Sequence, residues 1–180
     1  MSKKVVLITG GSSGIGKSIG IFLKAKGFTV YGTTRNLANY PEFNSFSLVE
    51  MDVQRPKTIE KAVAKVIAET GRLDVLINNA GVGITGAIEE TPNDEILNAF
   101  NTNFNGPIHV AKAVLPQMRK QHSGLIINIT SIAGYMGLPY RGIYSATKGA
   151  LELVTEAMRM EVKNFGVQVT SVAPGDFATN

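Results

Sequence analysis

Short hydrophobic runs alternate along the chain with longer segments whose hydrophobic residues recur every three or four positions. The short runs are rich in Val, Ile and Leu, as is typical of parallel strands that helices cover on both faces, and the longer segments have helical spacing. The predicted strands are Lys4–Thr9, Phe28–Thr34, Phe46–Met51, Asp74–Asn78, Leu125–Ser131 and Val167–Ala173. The predicted helices are Gly14–Lys26, Pro56–Thr70, Pro92–Gln121 and Tyr144–Phe165, the third with Thr91 as its N-cap. This alternation indicates parallel βαβ units and therefore an α/β fold.

The composition is that of a globular protein. Hydrophobic residues occupy 44% of the 180 positions and charged residues 18%, which excludes an intrinsically disordered chain. The net charge is +4, but the Lys and Arg residues are scattered, so we expect no nucleic-acid binding.

The sequence offers few metal ligands and no membrane segment. It contains no cysteine, which excludes disulfides and cysteine-ligated zinc. The two histidines, His109 and His122, lie thirteen residues apart in a predicted helix and lack the spacing of metal ligands, so we expect no metal site. The first apolar run is too short for a signal peptide, and no run approaches the length of a membrane span. We therefore expect a cytoplasmic protein that does not bind membranes.

A glycine-rich turn, Thr9-Gly-Gly-Ser-Ser-Gly-Ile-Gly16, separates the first predicted strand from the first helix. Such a turn lets backbone N–H groups approach a phosphate at a helix N-terminus. Residues Gly11–Ser18 satisfy the P-loop pattern GxxxxGK[ST], which would indicate a nucleoside triphosphate and magnesium. Alternatively, Gly10, Gly14 and Gly16 form a dinucleotide-binding turn. The turn alone leaves both interpretations open, although a P-loop also needs a carboxylate for magnesium, and Asp52 is the only acid that ends a predicted strand.

Three further motifs follow the turn in order. Asn78-Asn-Ala-Gly81 ends the fourth predicted strand, Ser131 ends the fifth, and Tyr144-Ser-Ala-Thr-Lys148 opens the last helix thirteen residues after Ser131. With TGxxxGIG before them, these motifs resemble the short-chain dehydrogenase/reductase family from Thr9 to Thr179. The resemblance implies a Rossmann-like, doubly wound parallel sheet of strand order 3-2-1-4-5-6. It also implies a single dinucleotide-binding and catalytic domain over residues 1–180, which acts on a small carbonyl or alcohol substrate.

The resemblance implies that the glycine turn binds the cofactor pyrophosphate and that the residue after the second strand selects NAD or NADP. That residue is Arg35, nineteen positions beyond Gly16. An acid there would bind a ribose 2′-hydroxyl, whereas Arg can pair with a 2′-phosphate, so we expect NADP rather than NAD. The implied cofactor-binding residues are Gly10, Ser12, Ser13, Gly14, Ile15, Gly16, Arg35, Asp52, Val53, Asn79, Ala80, Gly81, Tyr144, Lys148, Pro174, Gly175, Phe177 and Thr179.

Tyr144 and Lys148 are four residues apart and therefore share one face of the predicted helix. A positive charge near a phenol favours its ionised form. The resemblance implies that Tyr144 exchanges a proton with the substrate oxygen, that Ser131 hydrogen-bonds this oxygen, and that Lys148 also holds the nicotinamide ribose.

Asn103 is the fourth predicted member of the site. Pro107 has no N–H and its ring displaces the carbonyl group four residues earlier, which leaves the backbone oxygen of Asn103 free. In the family, the matching Asn carbonyl holds a water molecule linked to the lysine. The alternative is a helix kink in which the backbone oxygen of Asn103 accepts a hydrogen bond from a nearby group.

The chain departs from the family pattern after Pro174-Gly-Asp-Phe-Ala-Thr179, where it ends at Asn180. Family members normally continue through a substrate-covering segment, a helix and a seventh strand. We expect either a fragment or a shortened relative with weakened catalysis. The segment from Ile132 to Arg141 is apolar, which suits a hydrophobic carbonyl or alcohol and equally suits packing of the loop itself.

Three functional hypotheses remain from the sequence. The first is an NADP-dependent oxidoreductase with a Tyr-Lys-Ser-Asn site, and the second is a P-loop nucleotide hydrolase. The third is a nucleotide-binding module that is catalytically idle. The family resemblance also implies a homo-oligomer that pairs through the last two predicted helices.

Overall fold

Six strands form one parallel sheet in the order β3-β2-β1-β4-β5-β6 in the computed structural model, which describes residues 3–175. The strands are β1 (Val5–Ile8), β2 (Thr29–Thr34), β3 (Ser47–Glu50), β4 (Val75–Asn78), β5 (Gly124–Ile129) and β6 (Val167–Val172). The helices are α1 (Gly14–Ala25), α2 (Pro56–Thr70), α3 (Asn93–Phe100), α4 (Gly106–Gln121) and α5 (Gly142–Val162). The predicted fold class and strand order are confirmed.

The strands are buried on both faces because alternate residues point to opposite sides of the sheet. In β1, Val5 and Leu7 belong to a core formed with α2, α4 and α5, whereas Val6 and Ile8 belong to a second core formed with α1. The helices therefore cover both faces of the sheet, and the carboxyl ends of β1 and β4 lie side by side at its centre. In doubly wound sheets, ligands bind at this point, where the strand order reverses.

The predicted strands run one or two residues too long at most of their ends. The extra residues have other partners. The hydroxyl of Thr9, placed in β1 by the prediction, accepts hydrogen bonds from the backbone N–H groups of Asn79 and Ala80. Ser131 was placed at the end of β5, which stops at Ile129.

The long predicted helix Pro92–Gln121 is interrupted. A π-helical segment, Asn101–Asn105, separates α3 from α4, and the N–H of Gly106 donates to the carbonyl oxygen of Asn101, five residues back. The interruption precedes Pro107, which lacks the N–H that an α-helical turn would need. The predicted N-cap is also wrong, because Pro92 occupies that position and the Thr91 hydroxyl donates to the Ala87 carbonyl (2.7 Å).

The last helix begins two residues earlier than predicted, so Tyr144 lies in the first turn of α5. The helix ends at Val162 and is followed by a 3-10 turn, Lys163–Phe165. Within residues 3–175, no helix has both the length and the apolar character needed to cross a membrane.

Candidate active site

The glycine-rich turn lies at the carboxyl end of β1 and leads into α1. Gly10 and Gly14 have φ angles of +63° and +51°, which glycine adopts at little cost. The side chain of Asn79 donates to the carbonyl oxygens of Thr9 (3.0 Å) and Gly10 (3.1 Å). Together with the Thr9 hydroxyl, these bonds fasten the turn to the loop after β4, so two of the predicted cofactor motifs form one wall.

This wall belongs to a cavity of about 420 Å³ at the carboxyl end of the sheet. The cavity brings together eleven of the predicted cofactor residues, which come from four loops. They are Gly10, Ser12, Ser13, Gly14, Ile15, Arg35, Asp52, Val53, Asn79, Ala80 and Gly81. Gly16 packs behind the wall, where a Cβ atom would collide with the Gly10 carbonyl oxygen and the Asn79 amide.

The residues of this cavity fit a dinucleotide. The first N–H groups of α1 lie at the cavity wall, and Ser13, the N-cap residue, does not cap them with its side chain. Uncapped N–H groups at a helix N-terminus favour an anion. A Cβ atom at Gly10 would come within 3.1 Å of the Ala80 backbone, so only glycine leaves this approach open.

Arg35 lines the far end of the cavity, beyond β2. The same end is lined by Thr33, Thr34 and Asn36, and Asn36 accepts a hydrogen bond from the Ala38 N–H (2.9 Å) that starts a short 3-10 turn. Among residues 3–175, Arg35 has no carboxylate partner within 4.0 Å. A positive charge at this end of the cavity suits a phosphate group.

The P-loop interpretation finds no support in the position of Lys17. Its ammonium group lies 5.5 Å from the centre of the Phe43 ring, whereas the lysine of a P-loop reaches the phosphates. Within the described part of the chain, no three His, Asp or Glu side chains are grouped as metal ligands.

Lys148 is deeply buried beside Tyr144. Its side chain is 5% exposed, and its Nζ donates to the backbone oxygen of Ile129 at the end of β5 (2.8 Å). Burial lowers the pKa of the ammonium group from 10.5 to about 8. The Nζ lies 5.8 Å from the centre of the Tyr144 ring, and the guanidinium carbon of Arg141 lies 5.0 Å from it. Two cations therefore flank the half-buried phenol.

Ser131 follows β5 and begins a 3-10 turn, Ile132–Tyr135, in which its hydroxyl accepts from the Ala133 N–H (3.2 Å). This turn packs on α5 without room for a side chain, since a Cβ atom at Gly134 would lie 3.0 Å from the Lys148 carbonyl carbon. The close contact holds the Ser131 segment against the helical turn that carries Tyr144 and Lys148.

Asn103 lies in the π-helical segment and is fully buried. Its side-chain oxygen accepts from the Val82 N–H (2.8 Å), and its amide donates to the Val82 oxygen (2.9 Å) and the Thr147 hydroxyl (3.1 Å). The prediction concerned its backbone carbonyl. The side chain has a second role, because it joins the segment after β4 to the residue before Lys148.

The side chains of Asn103 and Lys148 meet beside Gly81, and the Tyr144 ring lies near the Lys148 ammonium group. A Cβ atom at Gly81 would lie 3.2 Å from the Asn103 side-chain oxygen and 3.6 Å from the Lys148 Nζ. The Pro174 carbonyl accepts from the Ile132 N–H (3.1 Å), so the segment after β6 adjoins Ser131. Gly175 is near Ile132 as well. The predicted cofactor residues Phe177 and Thr179 lie outside the described residues.

Sequence reasoning missed several residues of the cavity. Asn36, Asn39 and Tyr40 lie one, four and five positions after Arg35, so their place in the chain was the available signal. Gln54 follows the Asp52-Val53 pair in the same way. Asn98 and Thr102 are four residues apart on a helix that leads to Asn103, and that spacing would have placed them on one face. All of these line the cavity.

Comparison with known proteins places this geometry in context. The family model described as short chain dehydrogenase matches residues 4–180. The 3-ketodihydrosphingosine reductase of Bacteroides thetaiotaomicron is 46% identical over 179 residues, which are 99% of this chain and 66% of the reductase. VdlC of Helicobacter pylori, a probable short-chain type dehydrogenase/reductase, is 35% identical over 178 residues, which are 98% of this chain and 66% of VdlC. The chain thus spans just under two thirds of the length of these relatives.

Solved structures have the same fold. The crystal structure of a short-chain dehydrogenase from Streptomyces avermitilis gives a TM-score of 0.91 at 41% identity, with 100% of this chain and 68% of that chain covered. ElxO with NADP bound gives a TM-score of 0.92 at 33% identity, with 99% of this chain and 75% of that chain covered.

Proposed function

The chain belongs to the short-chain dehydrogenase family, and we propose that the full-length protein is an NADP-dependent oxidoreductase that interconverts a carbonyl group and an alcohol. The observation that carries this proposal is the position of Lys148. A buried ammonium group lies between the Tyr144 ring, the end of β5 and Gly81 at the edge of the cavity. Such an arrangement serves proton transfer at the point where a cofactor and a substrate would meet.

Each member of the site has a role in this proposal. Tyr144 donates its phenolic proton to the substrate oxygen during reduction and accepts a proton from the alcohol during oxidation. Ser131 donates a hydrogen bond to the same oxygen, which orients it and stabilises developing negative charge. Lys148 places a positive charge beside the Tyr144 ring and hydrogen-bonds the nicotinamide ribose. The cofactor, when bound, would supply a hydride from nicotinamide C4 as NADPH during reduction, or take one up there as NADP⁺ during oxidation.

The proposed cofactor is NADP because Arg35 lines the end of the cavity that follows β2. Asp52 and Val53 line the part next to it, where we place the adenine, and Asn79 to Gly81 line the ribose side. The two ElxO structures among the neighbours hold NADP and NADPH, respectively. Their bound cofactors support the choice for this chain.

Replacing Arg35 tests the cofactor assignment. We expect Arg35→Asp to lower the NADP/NAD affinity ratio at least about tenfold, because a charge-assisted contact contributes about 1.5 to 3 kcal/mol and an added acid repels the 2′-phosphate. Isothermal titration of both cofactors measures this ratio. Arg119→Asp, in the last turn of α4, is the matched control and should leave the ratio unchanged. Equal ratios in wild type and Arg35→Asp would remove the main support for NADP.

We propose a hydrophobic ketone as the substrate. Beside Ser131, the side chains of Ile132, Tyr135, Met136 and Leu138 are exposed and form an apolar surface. The 46% identical relative is named for the reduction of 3-ketodihydrosphingosine, so this ketone is the first compound to test. The cytoplasm is the proposed compartment.

One experiment separates the active enzyme from a catalytically idle nucleotide-binding module. The full-length protein should enhance NADPH fluorescence and consume NADPH when 3-ketodihydrosphingosine or another apolar ketone is added. Binding of NADPH without turnover on any ketone of the panel would favour the idle module. Binding of magnesium-ATP in place of NADPH would contradict both.

We also propose a homo-oligomer that pairs through α4 and α5. The side chains of Leu153 and Met160 on α5 are 69% and 73% exposed, which is unusual for apolar residues spaced on one helix face. Leu153→Glu should shift the full-length protein toward monomer in light scattering. Phe22→Glu, on the opposite face of the sheet in α1, is the control and should not. A wild-type protein that is monomeric at all concentrations would refute this assembly.

A further inference from the structure

Gln54 connects the loop after β3 with the helical region that carries Asn103. Its side-chain amide donates to the Asn98 side-chain oxygen (2.8 Å) and to the Thr102 hydroxyl (2.8 Å). We propose that Gln54 is a positioning residue, through which occupancy of the adenosine part of the cavity fixes the π-helical segment and therefore Asn103. The inference rests on the proposed function, because it assigns that part of the cavity to the adenosine of NADP.

The loop contacts the helix at three positions spaced by four residues. Gln54 meets Asn98 and Thr102, and Val53 packs against Gly106, where a Cβ atom would lie 2.9 Å from a Val53 methyl group. The three helix positions therefore lie before, within and directly after the π-helical segment. Because π-helical turns are rare and short, contacts from outside the helix help to determine where such a turn forms.

The segment held in this way reaches the catalytic region directly. Thr102 precedes Asn103, whose side chain bonds to both backbone groups of Val82 and to the Thr147 hydroxyl. Thr147 precedes Lys148 in α5. A displacement of the π-helical segment would therefore move the partners of the residue next to Lys148.

Occupancy of the cavity changes the strength of the Gln54 bonds. Gln54 and Asn98 are exposed, while Thr102 is buried, and all three line the cavity. In the open cavity, water competes for the Gln54 amide. A ligand that covers the amide excludes this water, and hydrogen bonds strengthen in a medium of lower dielectric constant. The adenosine end of a cofactor would thus tighten the helix without touching Asn103.

Amide hydrogen exchange measured by NMR on the full-length protein tests this inference without any turnover. The probe is adenosine 2′,5′-bisphosphate, the part of NADP that lacks nicotinamide. At saturation, it should slow exchange of the Asn105 and Gly106 amides in wild type about two- to tenfold, which is the range of one hydrogen bond. In Gln54→Met, the probe should still protect the glycine-rich turn but leave Asn105 and Gly106 unchanged.

Two further variants make the test specific. Thr102→Val removes the acceptor on the helix side and should abolish the same protection, which covers the case in which Gln54→Met does not fold. Gln117→Met is the matched control. Gln117 lies in the second half of α4, away from the π-helical segment, and its amide donates to the Gly71 backbone oxygen and the Gln121 side-chain oxygen. This variant should behave as wild type.

The outcomes distinguish this inference from the proposed function. If the probe binds but protects Asn105 and Gly106 equally in wild type and Gln54→Met, or in neither, Gln54 has no positioning role and the NADP assignment stands. If the probe does not bind wild type even at high concentration, the cofactor assignment is wrong and the inference is overturned with it.

Discussion

Tyr144→Phe should lower ketone reduction by the full-length protein about 10²- to 10⁴-fold, the usual contribution of one acid or base group. The substitution removes only the hydroxyl that exchanges a proton with the substrate oxygen. The ring remains between Arg141 and Lys148, whose cations lie over it. We therefore expect the dissociation constant for NADPH to change by no more than a few-fold. Steady-state kinetics and fluorescence titration measure the two effects separately.

Tyr31→Phe is the matched control for this substitution. Tyr31 lies in β2 and donates a hydrogen bond to Glu69 of α2 (2.8 Å), so its loss should cost about 1 kcal/mol of stability and leave turnover unchanged. Full activity of Tyr144→Phe would show that another group transfers the proton.

Lys148→Met should lower turnover about 10²-fold or more, because it removes the cation next to the phenol and the donor proposed for the ribose. The same change should also alter the pH dependence of folding. Burial holds the pKa of the Lys148 ammonium near 8 instead of 10.5, and each pKa unit corresponds to about 1.4 kcal/mol. The buried charge therefore costs the folded wild-type protein about 3 kcal/mol wherever the amine is charged in both states.

The sign of this effect follows from proton linkage. Below pH 8, the amine is charged in the folded and the unfolded chain, and wild type bears the full cost. Between pH 8 and 10.5, the unfolded chain binds a proton that the folded chain does not, so the stability of wild type rises with pH. Above pH 10.5, the cost is gone. The free energy of unfolding of Lys148→Met minus that of wild type should therefore be about 3 kcal/mol larger at pH 7 than at pH 10.5.

Urea unfolding of wild type and Lys148→Met at the two pH values measures this difference. Lys61→Met, which replaces an exposed lysine of α2, is the control for the loss of a lysine side chain. If the stability difference between wild type and Lys148→Met were the same at both pH values, Lys148 would not be desolvated in the folded protein.

The elements that are specified locally were predictable from the sequence. Helix α2 begins and ends where predicted, because Pro56 occupies its first turn and Gly71 ends it with a φ angle of +73°. The strands were identified by their Val and Ile runs, which both faces of the sheet bury. The strand ends were less predictable. The Thr9 hydroxyl bonds to the distant loop after β4, and the Ser131 hydroxyl bonds to the turn that follows it directly, so neither residue continues its strand.

The π-helical segment was not predictable from periodicity. Its one hydrophobic residue, Phe104, continues the spacing of Leu97 and Phe100 in α3, so a single helix was the natural prediction. Pro107 indicated a disturbance but not its form, because a kink and a wider turn both relieve the missing N–H. The contacts that accompany the wider turn involve residues distant in the sequence, since Gln54 and Thr102 are 48 positions apart.

The cofactor motifs located most of the cavity lining because each follows the end of a strand, and parallel strands bring their carboxyl ends to one edge. Eleven predicted cofactor residues line one cavity for this reason. The motifs did not indicate the role of the Asn103 side chain. That role depends on Val82 and Thr147, and no pattern linked either residue to Asn103.

Hydride transfer from NADPH is the central claim, and isotopic labelling tests it most directly. The full-length protein is incubated with NADPH that carries two deuterium atoms at nicotinamide C4, together with 3-ketodihydrosphingosine or another apolar ketone that the protein reduces. Mass spectrometry and NMR of the product should locate one deuterium on the carbinol carbon, and Tyr144→Phe should form this product about 10²- to 10⁴-fold more slowly. Product without deuterium at this carbon, or no reduction of any ketone by a protein that binds NADPH, would contradict the account.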